Sequence, residues 1–428
     1  MADYSEALDR PASQPEPAAG GRYSQQLSRS IGILGNVFIT LSGVTPASSV
    51  FIIAPVALVV AGSGSFLAFV FAAIVGVFMA FCWAELSAAY PIAGGDYALV
   101  WHSFKGRSSW LGGPLSFITF ALYVDFIAFI PAVIALGMGT YLGVVVSVNA
   151  KVLGAIVMLV AAGIAILNIR LNAVITGVFL AIELAALAAV TILGFTHARH
   201  GSALLHPAVG GAHGSLQSVS FTAVLALTAV AVFSYNGYAN AVNFSEETTG
   251  SSRTIAKAIL WSLVITVAAE LIPITAVIVG SPSIAKLSQS AVPMQYFIEA
   301  TSNKTVNTII SLGVVIAILN AVIAIVLSYG RIFFSSGRDR AWPGPVNEWM
   351  TAMNRFRSPW FPTALVGARR HHVPDRAAGH AGESHWREPG RRLRADRHRG
   401  VVCAADRRDR TRAVQDAALA AAAAPRAG

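Results

Sequence analysis

Ser42-Gly43-Val44-Thr45-Pro46 interrupts an apolar run that extends from Ile31 to about Ala61. No residue from Ser30 to Ala84 is charged. A membrane helix needs about 20 apolar residues, so this stretch holds two spans, with Gly62-Ser63-Gly64-Ser65 as the turn between them. A straight helix over 31–61 would be roughly 46 Å long at 1.5 Å per residue, well beyond a hydrocarbon core of roughly 30 Å. Pro46 lacks an N–H and disfavours helix just before it, and Gly43 adds flexibility. The first span is therefore expected to break here. A second interruption, Ser234-Tyr235-Asn236-Gly237-Tyr238, also has apolar sequence on both sides.

Further apolar runs lie at about 113–142, 152–168, 172–195, 219–245, 256–280 and 305–334. With 31–61 and 66–89 they predict eight transmembrane helices, because a helix satisfies its own backbone in the bilayer. The short alternating strands of an outer-membrane barrel are absent from the pattern. The composition agrees: 55% of residues are hydrophobic and 12% charged, against about 25% charged in soluble domains. That excludes a disordered chain, a coiled coil and almost any soluble enzyme. Two cysteines, Cys82 and Cys403, are too few for a disulfide framework. Residues 1–28 are polar, contain Pro11, Pro15 and Pro17, and lack the apolar core of a signal peptide; they read as a disordered cytoplasmic lead. With the N-terminus inside, the inner segments hold 13 Lys and Arg and the outer segments 4, which sets the orientation in a cytoplasmic (inner) membrane. His197, His200, His206 and His213 in the outer connection near 196–218 fit no metal-ligand spacing, and that connection reads as a solvated loop.

A broken helix exposes N–H groups at the start of one arm and carbonyls at the end of the other. The first end suits a carboxylate and the second an ammonium. Two such breaks at corresponding positions point to the binding site of a secondary transporter. Either break alone could merely permit close helix packing.

At these residues the sequence resembles the amino acid–polyamine–organocation superfamily of permeases. The likeness is carried by Gly32 through Gly43-Val44-Thr45-Pro46-Ala47-Ser48-Ser49 and by Glu85-Leu86-Ser87-Ala88-Ala89-Tyr90-Pro91-Ile92-Ala93-Gly94-Gly95-Asp96-Tyr97. It is also carried by Phe233 to Glu247 with Arg253 and Lys257, and by Ser328-Tyr329-Gly330-Arg331 with Gly337-Arg338-Asp339-Arg340-Ala341-Trp342-Pro343. The resemblance implies an all-α, leucine-transporter-like inverted-repeat bundle working by alternating access. It further implies that Ser42, Gly43, Val44 and Thr45 offer N–H groups to a substrate carboxylate. Ser234, Tyr235 and Gly237 would offer carbonyls to its ammonium, and Phe233 would close over it. Asn236 and Tyr238 complete the expected substrate-binding set. Glu85, Pro91, Gly94, Gly95 and Arg331 are the expected gate and signature residues. Ala239 stands where some relatives carry an acid, so a coupling role there does not transfer.

Ionisable groups inside a membrane are costly and often functional. Asp125, Glu183 and Glu270 lie within apolar runs. Glu183 is the preferred proton carrier and Asp125 the next; Glu270 is read as facing a wet cavity or a polar neighbour. No sodium-ligand set is evident, although Asn320 and Ser328 leave sodium as an alternative to protons.

Residues 368–428 differ from the rest. They hold 14 of the 31 Lys and Arg and 7 of the 21 Asp and Glu, and they contain no Lys, Ile, Phe, Tyr, Asn or Met. Those six residues have A/T-rich codons. The expectation is an out-of-frame read of a high-GC gene from about codon 367, which would leave about eight of twelve helices and an inactive chain. A basic tail that binds anionic lipid or nucleic acid is the alternative.

The sequence thus predicts a permease core over 29–367 that moves amino acids or related amines, coupled to protons or by exchange. The substrate is a small molecule and lipid the surroundings; no cofactor, metal, nucleic-acid partner or catalytic residue is expected. A non-transporting amino acid sensor and a polyamine or organocation transporter are the competing readings. A channel is disfavoured because charged rings and a carbonyl filter are missing.

Overall fold

The apolar runs form long helices, and the polar residues between them supply the caps. The computed structural model describes residues 27–92, 94–106, 108–211, 214–250 and 252–368. The lead before Leu27, His213 and the Arg/Ala-rich tail beyond Ala368 lie outside the described residues, and with them the expectations of disorder and of a shifted frame.

In order, the helices are α1 (Ile33–Val44), α2 (Pro46–Ser48), α3 (Ala54–Ala61), α4 (Ser65–Ala89) and α5 (Asp96–Phe104). There follow α6 (Ser109–Leu142), α7 (Ala150–Ala165), α8 (Ile169–Thr196), α9 (Phe221–Tyr235) and α10 (Ser252–Gly280). The last five are α11 (Ile284–Gln289), α12 (Pro293–Thr301), α13 (Lys304–Arg338), α14 (Gly344–Met350) and α15 (Trp360–Ala368). Asparagine and serine start several of them. Asn149 accepts from the N–H of Lys151 and Val152, Asn168 from Arg170, Ser220 from Ala223 and Asn303 from Val306, each satisfying donors that the helix itself leaves open.

Among the described residues, six stretches are long and apolar enough to cross a membrane. They are Ile33–Ala89, Trp110–Leu142, Ile169–Thr196, Phe221–Phe244, Arg253–Gly280 and Lys304–Arg338. The first contains α1 to α4 and turns at Gly62–Gly64. Ala150–Ala165 is a shorter apolar helix. Such helices are apolar on every side, as expected where lipid surrounds the bundle. Trp110, Phe117 and Leu122 on α6 are exposed, whereas α13 is buried from Asn320 through Gly337. α13 packs on α1, α6, α7, α8 and α15 and forms the axis of the bundle.

A short antiparallel hairpin, β1 (Ala208–Gly210) and β2 (Leu216–Ser218), lies on the turn at Gly62–Gly64. Ala208 N–H donates to Ser63 Oγ at 2.9 Å, and Gly210 N–H to Ser288 Oγ at 2.9 Å. The opposite end of the bundle is tied by charge. Arg331 meets Glu247 through two hydrogen bonds of 2.5 and 2.8 Å, and both side chains are buried. The Glu247 carbonyl accepts from Ser30 and Ile31 N–H at 2.8 and 3.1 Å. Arg338 pairs with Glu246, and Tyr97 donates to Asp339 at 2.9 Å. This closure joins the start of α1, the segment after α9, the α4–α5 connection and the end of α13.

Candidate functional site

α1 stays helical through Val44, so the N–H groups of Ser42, Gly43 and Val44 point back into their own helix. Thr45 N–H donates to Leu41 O at 2.8 Å. The kink falls on Thr45, which adopts a left-handed conformation with φ 54°; Gly43 keeps a helical backbone. The chain restarts at Pro46, whose missing N–H costs nothing at a helix start, and a π-helical stretch, Ser49–Ile53, leads into α3. The free N–H end of the break is thus Ala47 and Ser48, further along than Ser42 to Thr45. Ala47 N–H donates to Glu183 Oε1 at 2.7 Å. Ser48 is buried, and its Oγ has no hydrogen-bond partner among the described residues.

The second break lies across from the first. α9 ends at Tyr235, Asn236 N–H folds back to Phe233 O, and a 3₁₀ segment, Tyr238–Phe244, follows. Gly237 has φ 121°, and a Cβ there would stand 3.1 to 3.3 Å from Val44 atoms. The two breaks therefore touch through a residue that must be glycine. Ser49 Oγ donates to Ser234 O at 3.0 Å and joins them a second time.

A cavity of about 60 Å³ opens at this junction. Gly43, Val44, Thr45, Phe233, Ser234, Asn236 and Gly237 line it, together with Ser48, Ser49, Asn240 and Tyr329. The remaining wall is apolar: Ile52, Ile53, Phe126, Ile130, Ile134 and Ile325. Its lining contains no charged side chain. Phe126 stacks on Tyr329 with centroids 5.9 Å apart and lies 6.1 Å from Phe233.

Three expected substrate contacts point elsewhere. Ser42 donates to Thr176 O on α8 at 3.2 Å. Tyr235 is buried against Phe69 and donates to Phe69 O at 3.3 Å. Tyr238 packs into the apolar cluster around Val37, Leu41 and Ile259. Ser48, Ser49, Asn240, Phe126 and Tyr329 were missing from the expected set. The only sequence sign for the two serines is their place two and three residues after Pro46.

The carboxylates stand behind the breaks, outside the cavity. Glu183 accepts from Ala47 N–H, from Thr45 Oγ1 at 3.4 Å and from Asn320 Nδ2 at 3.4 Å. Glu270 accepts from Ser234 Oγ at 2.5 Å. Both are fully buried. Asp125 is exposed on α6 and meets neither break. Glu85 and Pro91 are exposed, while Gly94 and Gly95 are buried. A Cβ on Gly94 would reach 2.9 Å from Ser335 Oγ, and one on Gly95, with φ 63°, 2.6 Å from Asn243 Oδ1. The glycine pair thus lets the α4–α5 connection lie against α13 and the second break. Next to it, burial pushes the Asp96 carboxyl up to about 6, with an opposing hydrogen bond from Tyr123.

A sequence profile described as amino acid permease matches residues 35–366. An uncharacterized transporter of Mycobacterium tuberculosis is 28% identical over 358 residues, covering 80% of this chain and 73% of its own length, and one of Mycobacterium bovis matches equally. The branched-chain amino acid permease BcaP of Lactococcus lactis subsp. cremoris is 22% identical over 299 residues, covering 66% of this chain and 63% of its own length. With its long apolar helices and paired breaks, this multi-pass membrane protein belongs to the amino acid permease family.

Proposed function

We propose that the chain's core binds and transports neutral, apolar amino acids by alternating access across the cytoplasmic membrane, with its N-terminus inside. The observation that carries this reading is Ser48. Its hydroxyl faces the cavity without a partner, at the positive end of a helix arm. The substrate carboxylate sits there, and its ammonium meets the carbonyl end of α9. Apolar side chains fill the Ile52, Ile130, Ile134 and Ile325 wall. A cationic side chain or a polyamine would need a carboxylate in that wall, and none lines it. The name of the lactococcal relative agrees with this substrate class.

Proton coupling is assigned to Glu183. As a carboxylate it fastens Ala47 N–H and so holds the second arm of segment 1 to α8 and α13; on protonation that hold is lost and the arm can swing. The buried Arg331–Glu247 pair is the inner gate. Thermal unfolding of the purified protein with leucine, lysine or isoamylamine tests the substrate class. Uptake into proteoliposomes by the chain restored in frame after residue 367 then separates a transporter from a sensor. Stabilisation by leucine alone is expected; equal stabilisation by the two amines would overturn the assignment.

A further inference from the structure

Glu270 has one oxygen that the binding site does not use. Ser234 Oγ occupies Oε2, while Oε1 has no hydrogen-bond partner among the described residues and the side chain is fully buried. Below it on α10 stand Thr266 and Ser262, four and eight residues earlier, so all three share a stripe with steps of about 6 Å. Both hydroxyls are fully buried and likewise have no partner. That is unusual for this protein. Thr275 on the same helix donates to Leu271 O at 2.7 Å, and Thr176, Thr191 and Thr228 donate to carbonyls four residues back. Buried polar atoms without protein partners are normally satisfied by internal water. The stripe runs from Glu270 toward the Arg253 and Lys257 end of α10, which the charge count places inside.

Across the breaks, Glu183 has both oxygens engaged by donors. Glu270 has one donor and one open oxygen. Glu183 and Tyr235 are the titratable groups that face it, and Ser234 is hydrogen-bonded to it.

We propose that Glu270 is a proton-binding site, reached from the cytoplasmic side along Thr266 and Ser262. The pair Glu183–Glu270 holds one proton, which resides on Glu270 while Glu183 fastens Ala47. The step moves a proton only: it leaves a cytoplasmic hydronium, passes along water held by the two hydroxyls and attaches to Oε1. This deepens the coupling assigned above, but its test reads protonation directly.

Infrared spectra of the full 428-residue chain in lipid nanodiscs at about pH 8 report the C=O stretch of a protonated carboxyl. An Asp96→Asn background removes the Asp96 carboxyl, which burial pushes up to about 6. The band is expected in that background, lost in Glu270→Gln and kept in Glu183→Gln. Its exchange in D₂O should slow about tenfold in Ser262→Ala/Thr266→Val, as a water chain loses its polar partners. A band that survives Glu270→Gln, one lost in Glu183→Gln, or exchange unaltered by the double variant overturns the proposal. If Glu270→Gln does not fold, Ser234→Ala replaces it: the band should shift as its hydrogen bond goes, and an unshifted band counts against the site. If leucine fails to bind while this pattern holds, the transport reading fails and the proton site stands.

Discussion

Gly237 rests its bare Cα on Val44, close enough that a Cβ would stand 3.1 Å from one Val44 methyl and 3.2 Å from its Cα. With the Ser49–Ser234 hydrogen bond, this contact holds the two breaks together, and Val44 and Gly237 both line the cavity.

Gly237→Ala is therefore expected to destabilise the protein by about 1–3 kcal/mol, the usual cost of forcing a side chain into such a backbone conformation. Gly43→Ala should behave oppositely. Gly43 is helical, its added Cβ would meet its nearest atom at 3.4 Å, and alanine gains about 1 kcal/mol over glycine within a helix. Thermal unfolding of the two variants side by side checks both.

Arg331 and Glu247 form a buried, doubly hydrogen-bonded pair. Removing one partner strands the other charge at a cost of about 3–5 kcal/mol. Glu247→Gln and Arg331→Met should each lower the unfolding temperature strongly, and the double variant Arg331→Met/Glu247→Leu should recover most of the loss. Equal losses in all three would mean that packing, not charge, dominates this end.

Much of this site was legible in the sequence, but only to within half a helical turn. Proline and glycine announce a break, so both interruptions were visible. Which residue bends is a tertiary matter: Thr45 carries the left-handed conformation because α8 and α13 hold it there through Glu183, while Gly43 stays helical. That offset moved the free N–H groups from Ser42–Thr45 to Ala47 and Ser48. The 3₁₀ segment after Gly237 changes the phase of the second break, which sends Tyr238 into the apolar cluster. Asp125 shows the other limit. Helix α6 is apolar on all sides, so its sequence carries no sign of which side faces inward. Family membership and the all-helical membrane fold rested on long runs and fixed motifs, which survive such errors of phase.

Asp96 gives a pH-dependent prediction. Its carboxyl rises from an ordinary 3.8 to about 6 through burial. Between about pH 4 and 6 the folded protein keeps a proton that the unfolded chain has released, so this group makes stability fall as pH rises through that window. Asp96→Asn should flatten that fall, leaving the variant more stable than the parent at neutral pH and no different in slope below about pH 4. A parent whose stability rises across the window would contradict the assignment.

The Arg/Ala-rich tail is tested at the gene. If residues from about 368 onward arise from a shifted frame, another frame should encode apolar segments of spanning length, and the restored chain should take up leucine where the 428-residue chain does not. Full uptake by the 428-residue chain would contradict this.

The central claim is that Ser48 receives the carboxylate of a neutral amino acid at the junction of the two breaks. The direct measurement is leucine binding by calorimetry to the protein and to Ser48→Ala, with isoamylamine as the ligand that lacks the carboxylate. A hydrogen bond to a charged group contributes about 1.5–3 kcal/mol, so Ser48→Ala should weaken leucine by roughly 10- to 150-fold and isoamylamine should bind no better than that variant binds leucine. Leucine binding unchanged by Ser48→Ala, or matched by isoamylamine, would contradict the account.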